Sequence, residues 1–506
     1  MAQQTWKKIA LYTMGALTGA VLTVSAQSIA ADKAAEKKEG LPISSLRNMA
    51  EVYSQVKANY VSDEKDEKLI ENAIKGMVSG LDPHSEYMNK QGYADMQEST
   101  SGEFGGLGME IGAEDGFVKV VSPIEDTPAE RAGVKSGDFI VKIDNESTRG
   151  MSVTDAVKKM RGKPGTKITL TLSRKDSTKP IVLNITRAMI KVKSVRHHLL
   201  EDGYGYVRVS QFQERTVPAL AEAIAALSKE NKGPLKGVIL DLRDDPGGLL
   251  NGAVGVSAAF LKPDSLVVST KGRDNRSAME LKSRPEDYLL APGGDPLKDL
   301  PPEIKTVPMA VLINSGSASA SEIVAGALQD HRRAVLVGTR SFGKGSVQSV
   351  IPMSNGGALK ITTALYYTPK DRSIQATGIL PDVEVQDKNR TFESREADLS
   401  GHINNPTGAN EVKGGVLEQQ AEEAEKAADQ AKAKDGKKDK DKDEDAGSRR
   451  KPDPSKDDQL RKALELVKDP VQWQKSLGLA AAKKTDDKTA KGKDAGKGKD
   501  AAKGKK

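Results

Sequence analysis

Residues 314–348 read NSGSASASEIVAGALQDHRRAVLVGTRSFGKGSVQ. SASEIVAGALQD has helical spacing, and AVLVGT is a short apolar run suited to a buried strand. Ser319 opens the helix, Lys344 sits between two glycines directly after the strand, and Gln348 follows four residues later. A serine nucleophile with a lysine base is a known variant of the serine-hydrolase triad and requires no histidine. The chain has five His, and His331 alone falls within this stretch.

Outward from it, about Ile190 to Asp387 alternates strand and helix. YGYVRVSQF, GVILDLR and VPMAVLI read as strands and PALAEAIAALSKEN as an amphipathic helix. Alternation with continuously apolar strands predicts an α/β body with a mainly parallel sheet covered by helices. Sites in such sheets gather at the carboxyl ends of strands, where DDPGG, NSGS and GTRSFGKG all fall. Lys271 to Pro301 reads as a polar loop, long enough for a flap.

From Gly102 to Arg174 the pattern changes to short period-two runs, GLGMEIG, FVKVVSPI, FIVKIDN and KITLTLSR, with short helices in TPAERAGVKSGD and TDAVKKMRG. The stretch PAERAGVKSGDFIVKIDN closely resembles a PDZ domain. That resemblance places the loop that captures a chain-terminal carboxylate at Gly106, Leu107, Gly108 and Met109, where backbone N–H groups form an anion nest beside an exposed strand edge. From Leu41 to about Ser99, apolar residues recur at three- and four-residue spacing, which predicts helices. Asp82 and His84, in the polar turn LDPHSEYMN, read as turn chemistry. So small a helical pair needs a partner surface, either the body or a second copy of the chain.

The ends differ from the body. Lys7 and Lys8 precede an apolar run from Ile9 to Val24, with small residues at Ser25, Ala26, Ser28 and Ala30. This reads as an export signal over residues 1–30, or as an anchor if it is retained. The expected location is therefore outside the cytoplasm, periplasmic in a Gram-negative-type cell, with membrane association only through this segment. Residues 391–455 are charged and of low complexity, 456–478 have helical spacing and are expected to dock on the body, and 479–506 read as disordered. The segment from Ala481 carries ten Lys against four Asp, so it accounts for most of the formal charge of +7 and leaves the body nearly neutral. That argues against a nucleic-acid partner. Cysteine is absent, which excludes disulfides, thiol nucleophiles and thiolate metal sites. No metal or cofactor is called for.

Ser319 with Glu322 also fits a plain capping box, in which the serine only begins a helix. Its surroundings favour chemistry. Ser317, Ala318 and Ala320 are small, and a helix N-terminus offers free N–H groups to a developing oxyanion. Ala320 supplies one such donor, and Gly247 or Gly248 the second. Lys344 must be neutral to accept a proton, well below its reference pKa of about 10.4, and an apolar pocket achieves this. In an extended strand Gln348 lies about 13 Å from Lys344; if it orients the lysine, the chain must bend. Gly338 to Lys344 also matches a phosphate-binding loop, but Gly345 replaces the magnesium-binding Ser/Thr and a β-like stretch follows.

The order of a signal segment, a PDZ-like region, DDPGG, SGSASASEI, VGTRSFGKGSVQ and GILPDVEV resembles the carboxyl-terminal processing proteases, also called tail-specific proteases. The likeness covers Leu41 to Val385 and the helix near Leu460 to Lys468, and it implies an N-terminal helical region (41–100), a PDZ domain (101–188) and a crotonase/Clp-protease-like catalytic core (189–390). It also implies Ser319 as nucleophile, Lys344 as base and Gln348 as its assistant. One departure is Asp245, where the family more often has Asn. The implied activity is an exported serine endopeptidase acting on proteins with apolar C-termini, with the PDZ domain gating the site and Arg161 as a candidate reader of its occupancy. An adaptor protein and a homo-oligomer through the N-terminal helices are further partners this reading allows. The alternatives are an idle PDZ scaffold and a hydrolase of small esters or amides.

Overall fold

A computed structural model describes residues 42–416 and 451–478, except 115, 176, 178, 274–277, 291–293, 389 and 391. The export signal, most of the charged segment and the C-terminal tail expected from the sequence lie outside these residues. The described chain forms two compact units, up to Gly76 and from Met77 onward.

In the first unit, helix Ile43–Asn59 is followed by the helix that begins at Asp66. Lys57 closes the turn between them by reaching Asp63 (3.1 Å) and Asp66 (3.0 Å). The apolar residues of both helices, among them Leu46, Met49, Val52, Leu69, Ile70 and Ala73, line a groove of about 570 Å³.

The second unit holds a mixed α/β body and a β-rich domain. The body's main sheet has six strands in the order Val195–Glu201, Tyr204–Val209, Gly237–Asp241, Met309–Ile313, Val335–Gly338 and Val383–Glu384. Its first pair is antiparallel and the others are parallel. Period two sorts the side chains to two faces. Val238, Leu240, Val311, Ile313 and Leu336 pack under helices Thr216–Glu230, Leu250–Phe260 and Ala320–Asp330. Ile239, Ala310, Leu312, Val335 and Val337 pack instead on helix Asp458–Lys468 through Leu460, Ala463, Leu464, Leu466 and Val467. Burial on both faces explains why these strands are apolar throughout.

A second, antiparallel sheet joins Glu86–Met88, Ala358–Tyr367, Leu266–Gly272 and Met279–Lys282, with Ser346–Pro352 paired to Ala358–Tyr367. The segment expected to be a loop from Lys271 to Pro301 is thus partly a hairpin, continued by helix Pro285–Tyr288 with Tyr288 buried. Four alternating residues, Met279 to Lys282, are too few for a period-two reading. The β-rich domain is a six-stranded antiparallel sheet from Met109 to Thr186 around Val118, Val120, Ile140, Leu170 and Leu172, with helices Pro128–Arg131 and Val153–Met160.

Candidate active site

The loops after strands Gly237–Asp241, Met309–Ile313 and Val335–Gly338 lie at the carboxyl ends of three adjacent parallel strands. The alternating serines of the middle loop divide their work. Ser317 donates to the Leu242 carbonyl (2.8 Å), Ser321 to the Asp245 carbonyl (2.9 Å), and both are fully buried. Ser319, between them, is half-buried and faces a cleft of about 540 Å³. Its backbone has φ 56° and ψ −111°. Such a conformation costs a non-glycine residue on the order of 1–3 kcal/mol and clusters at functional sites. It turns the loop that follows strand Met309–Ile313 into the helix.

Lys344, Gln348, Ala320, Gly247 and Gly248 line the same cleft, with Phe212, Leu249, Leu250, Ile323 and Val347 as apolar walls. Burial pushes the Lys344 ammonium down, and Lys360 adds to this against the opposing pull of Glu396, Glu322 and Asp82. Among the described residues Lys344 makes no ion pair. A lysine in this setting is suited to accepting a proton.

Two side chains fix the serine relative to the lysine. The fully buried Glu322 carboxylate accepts from the N–H groups of Ser319 (2.9 Å), Gly343 (2.7 Å) and Lys344 (2.9 Å) and from the Ser341 hydroxyl (2.5 Å). Burial pushes its carboxyl up to about 7 although these donors favour the ionised form. The capping box expected from the sequence is therefore also a staple between the two loops. The buried Tyr366 hydroxyl meets the carbonyls of both Ser319, at 3.0 Å, and Lys344.

Ala320 begins the helix, so its N–H has no acceptor one turn back. Of the two candidate glycines, Gly247 gives its N–H to Asp245 Oδ1 (2.8 Å). That corrects the expectation for Gly247 and leaves Gly248 as the available donor.

Gln348 makes no hydrogen bond to Lys344 here. Strand Ser346–Pro352 carries a bulge at Val347/Gln348, and the Gln348 amide donates to Ser346 Oγ (3.0 Å) and Thr362 Oγ1 (3.1 Å). Thr362 in turn donates to Asp82 (3.1 Å). Asp82 also accepts from the His84 and Ser85 N–H groups, the turn chemistry expected of it, so one carboxylate serves both. His84 Nε2 lies 2.9 Å from the buried Glu396 carboxylate. Glu396 holds Gln375 (3.1 Å), which accepts the Gly345 N–H beside Lys344 (2.8 Å). His331 caps the far end of the helix that Ser319 begins, about 18 Å away at 1.5 Å per residue.

The sequence profile of peptidase family S41 matches residues 203–385, that of the PDZ domain 119–174, and that of the activating protease CtpB N-terminal domain 7–92. A carboxy-terminal-processing protease of Bartonella bacilliformis is 46% identical over 404 residues, covering 78% of this chain and 88% of the relative. The chain belongs to the carboxy-terminal-processing proteases of family S41. The carboxy-terminal processing protease CtpA of Bacillus subtilis is 35% identical, over 68% of this chain and 69% of the relative. A solved photosystem II D1 C-terminal processing protease is 28% identical with a TM-score of 0.38, over 66% of this chain and 85% of that one.

In this S41 serine peptidase the loop expected to take a substrate carboxylate is well packed. Leu107 and Gly108 are buried, and their carbonyls accept from Ala129 (2.8 Å) and Ile124 (2.9 Å). Gly108, at φ 79°, would place a Cβ 2.3 Å from Thr127. Gly106 ends strand Glu103–Gly106, and Met109 begins Met109–Glu114, which lies at the edge of its sheet. Arg161 caps the PDZ helix, lies over the Phe104 ring (4.7 Å) and pairs with Glu98 (3.0 Å). Glu98 belongs to helix Lys90–Ser101, whose Met96, Ser99 and Thr100 line the cleft. The protease's Tyr366, Thr362, Gln375 and Glu396 carried no local sequence signal, because their partners lie far away in the chain.

Proposed function

We propose that the protein is an exported serine endopeptidase working through a Ser319/Lys344 dyad. Supporting this is one observation: a serine in a strained turn at a helix N-terminus shares a cleft with a half-buried lysine that makes no ion pair among the described residues. Ser319 Oγ attacks the peptide carbonyl carbon while Lys344 accepts its proton. The oxyanion takes hydrogen bonds from the Ala320 and Gly248 N–H groups. The ammonium then returns the proton to the leaving nitrogen as the C–N bond breaks, and water, deprotonated by Lys344, hydrolyses the acyl-enzyme. Gln348 assists by ordering the wall beside the lysine.

The PDZ domain takes the substrate's terminal carboxylate on Gly106 to Met109, with the chain added along Met109–Glu114. Occupancy is read through Arg161, which ties the PDZ helix to a wall of the cleft. Export and a second copy on the N-terminal groove rest on the sequence reading of those segments, and an adaptor is a further partner that the family resemblance allows.

The test is degradation of an unfolded protein with an apolar C-terminus by wild type, Ser319→Ala and Lys344→Ala, with a C-terminally amidated substrate alongside. Loss in both variants and slower cleavage of the amide are expected. Full activity in Lys344→Ala would refute the dyad, and no activity in wild type would favour the idle scaffold.

A further inference from the structure

Asp245 is fully buried at the turn between the Gly237–Asp241 strand and the candidate oxyanion donors. Its polar groups face the nucleophile turn or the adjoining loop. Its carbonyl accepts from Ala318 N–H (3.0 Å) and Ser321 Oγ (2.9 Å), and its Oδ1 accepts from Gly247 N–H (2.8 Å). Pro246 follows and restricts Asp245 to extended conformations. Gly247, at φ 97°, is pressed on the nucleophile turn so closely that a Cβ would lie 2.8 Å from Ala320 N and 2.9 Å from Ser319 Cβ. The Gly247 carbonyl accepts from Phe212 N–H (2.9 Å). In a trans peptide the N–H opposes the C=O, so the Gly248 N–H is directed away from Phe212. Asp245 thus fixes the Pro246–Gly247 peptide and Phe212 the adjoining Gly247–Gly248 peptide, whose N–H remains available.

Asp245 Oδ2 is buried with no hydrogen-bond partner among the described residues. The charged groups facing Asp245 are Arg208 from the neighbouring strand and Asp241 from its own strand. Arg208 is already committed to Asp241. From the nucleophile turn only the Ser321 hydroxyl approaches. An ionised Asp245 would be an uncompensated buried charge, next to donors that must stabilise a second negative charge in the transition state.

We propose that Asp245 is a positioning residue that holds the oxyanion donor of Gly248 in place and does so as the neutral acid, so that its ionisation lowers catalysis. The inference rests on the serine-peptidase reading above. Burial pushes the carboxyl up to about 8, against the lowering effect of the Gly247 and Ser321 hydrogen bonds and of Arg208. Asparagine keeps the acceptor for Gly247 N–H and cannot ionise.

The experiment measures kcat/KM of the full chain on a fluorogenic peptide from about pH 6 to pH 10, for wild type, D245N, D245A and S319A. The ratio of D245N to wild type should rise about tenfold between roughly pH 7 and pH 9.5, as wild type ionises and the variant does not. D245A should lose kcat at every pH with KM little changed. A ratio that stays flat overturns the proposal, whereas activity retained by S319A overturns the peptidase reading instead. If D245N does not fold, wild type alone decides. Its affinity for a peptide aldehyde, relative to the matching alcohol, should fall about tenfold over the same interval, and constant affinity overturns the proposal.

Discussion

Glu322 offers the sharpest test of how the cleft is held together. Its Oε1 accepts from Ser341 and Gly343, and its Oε2 from the N–H groups of Ser319 and Lys344, the two residues proposed to do the chemistry. Replacement by Gln keeps one acceptor oxygen and sets an NH2 group either against the N–H groups of Ser319 and Lys344 or against that of Gly343, where Ser341 Oγ can accept from it. With an unmet buried hydrogen bond costing about 1 kcal/mol or more, Glu322→Gln should lose about 1–2 kcal/mol and Glu322→Ala about 4 kcal/mol. Because Gly343 and Lys344 share one loop, either orientation disturbs the backbone that holds the lysine, and kcat should fall at least about tenfold. The folded carboxyl, at about 7, lies above its unfolded value. Its contribution to stability is therefore complete below the unfolded value and is lost as pH rises through about 7. Glu322→Gln should remove that part of the pH slope. Denaturant unfolding at several pH values and peptide hydrolysis together measure this. Activity within about threefold of wild type, with unchanged stability, would refute the staple.

Ser319→Gly and Ser319→Ala should both be inactive. The glycine variant should be the more stable by about 1 kcal/mol in denaturant unfolding, because only Ala keeps the strained backbone. Lys344→Met should be more stable than wild type at neutral pH. A lysine with a depressed folded pKa favours unfolding while it is charged, so the gap should close as pH approaches the unfolded lysine value. Asp82→Ala should lower kcat by about tenfold with KM little changed, by freeing Thr362 and the Gln348 amide it orients; a rise in KM alone would refute that route. Leu466→Ala, fully buried between the C-terminal helix and the sheet, should cost about 2–5 kcal/mol of stability.

Strands 309–313 and 335–338, and 237–241 up to its closing Asp241, were legible because burial on both faces makes them continuously apolar, and the helices between them because of their spacing. Ser319, Lys344 and the small residues around them were legible because the chemistry needs those types within a short span. The supports were not. Glu322 could be read as a cap from its spacing, but its bonds to Gly343 and Lys344 cross twenty residues. Asp82 and His84 read as a turn and are one, while their further partners, Thr362 and Glu396, lie about 280 and 312 residues away. The Gln348 contact differs from expectation because a bulge, invisible in a run of alternating residues, directs the amide to Thr362.

The loop that carries Asp245 and Gly248 also contains Arg243. Arg243 binds Asp457 (2.8 Å) and Gln459 (3.0 Å) at the start of the C-terminal helix, 214 and 216 residues further along the chain. At a synthesis rate of about 5–20 residues per second, the loop waits roughly 10–40 s after it is made before these partners exist. Folding therefore locks this part of the cleft late, and the proposed cutting machinery is assembled only once the chain has been made as far as Gln459.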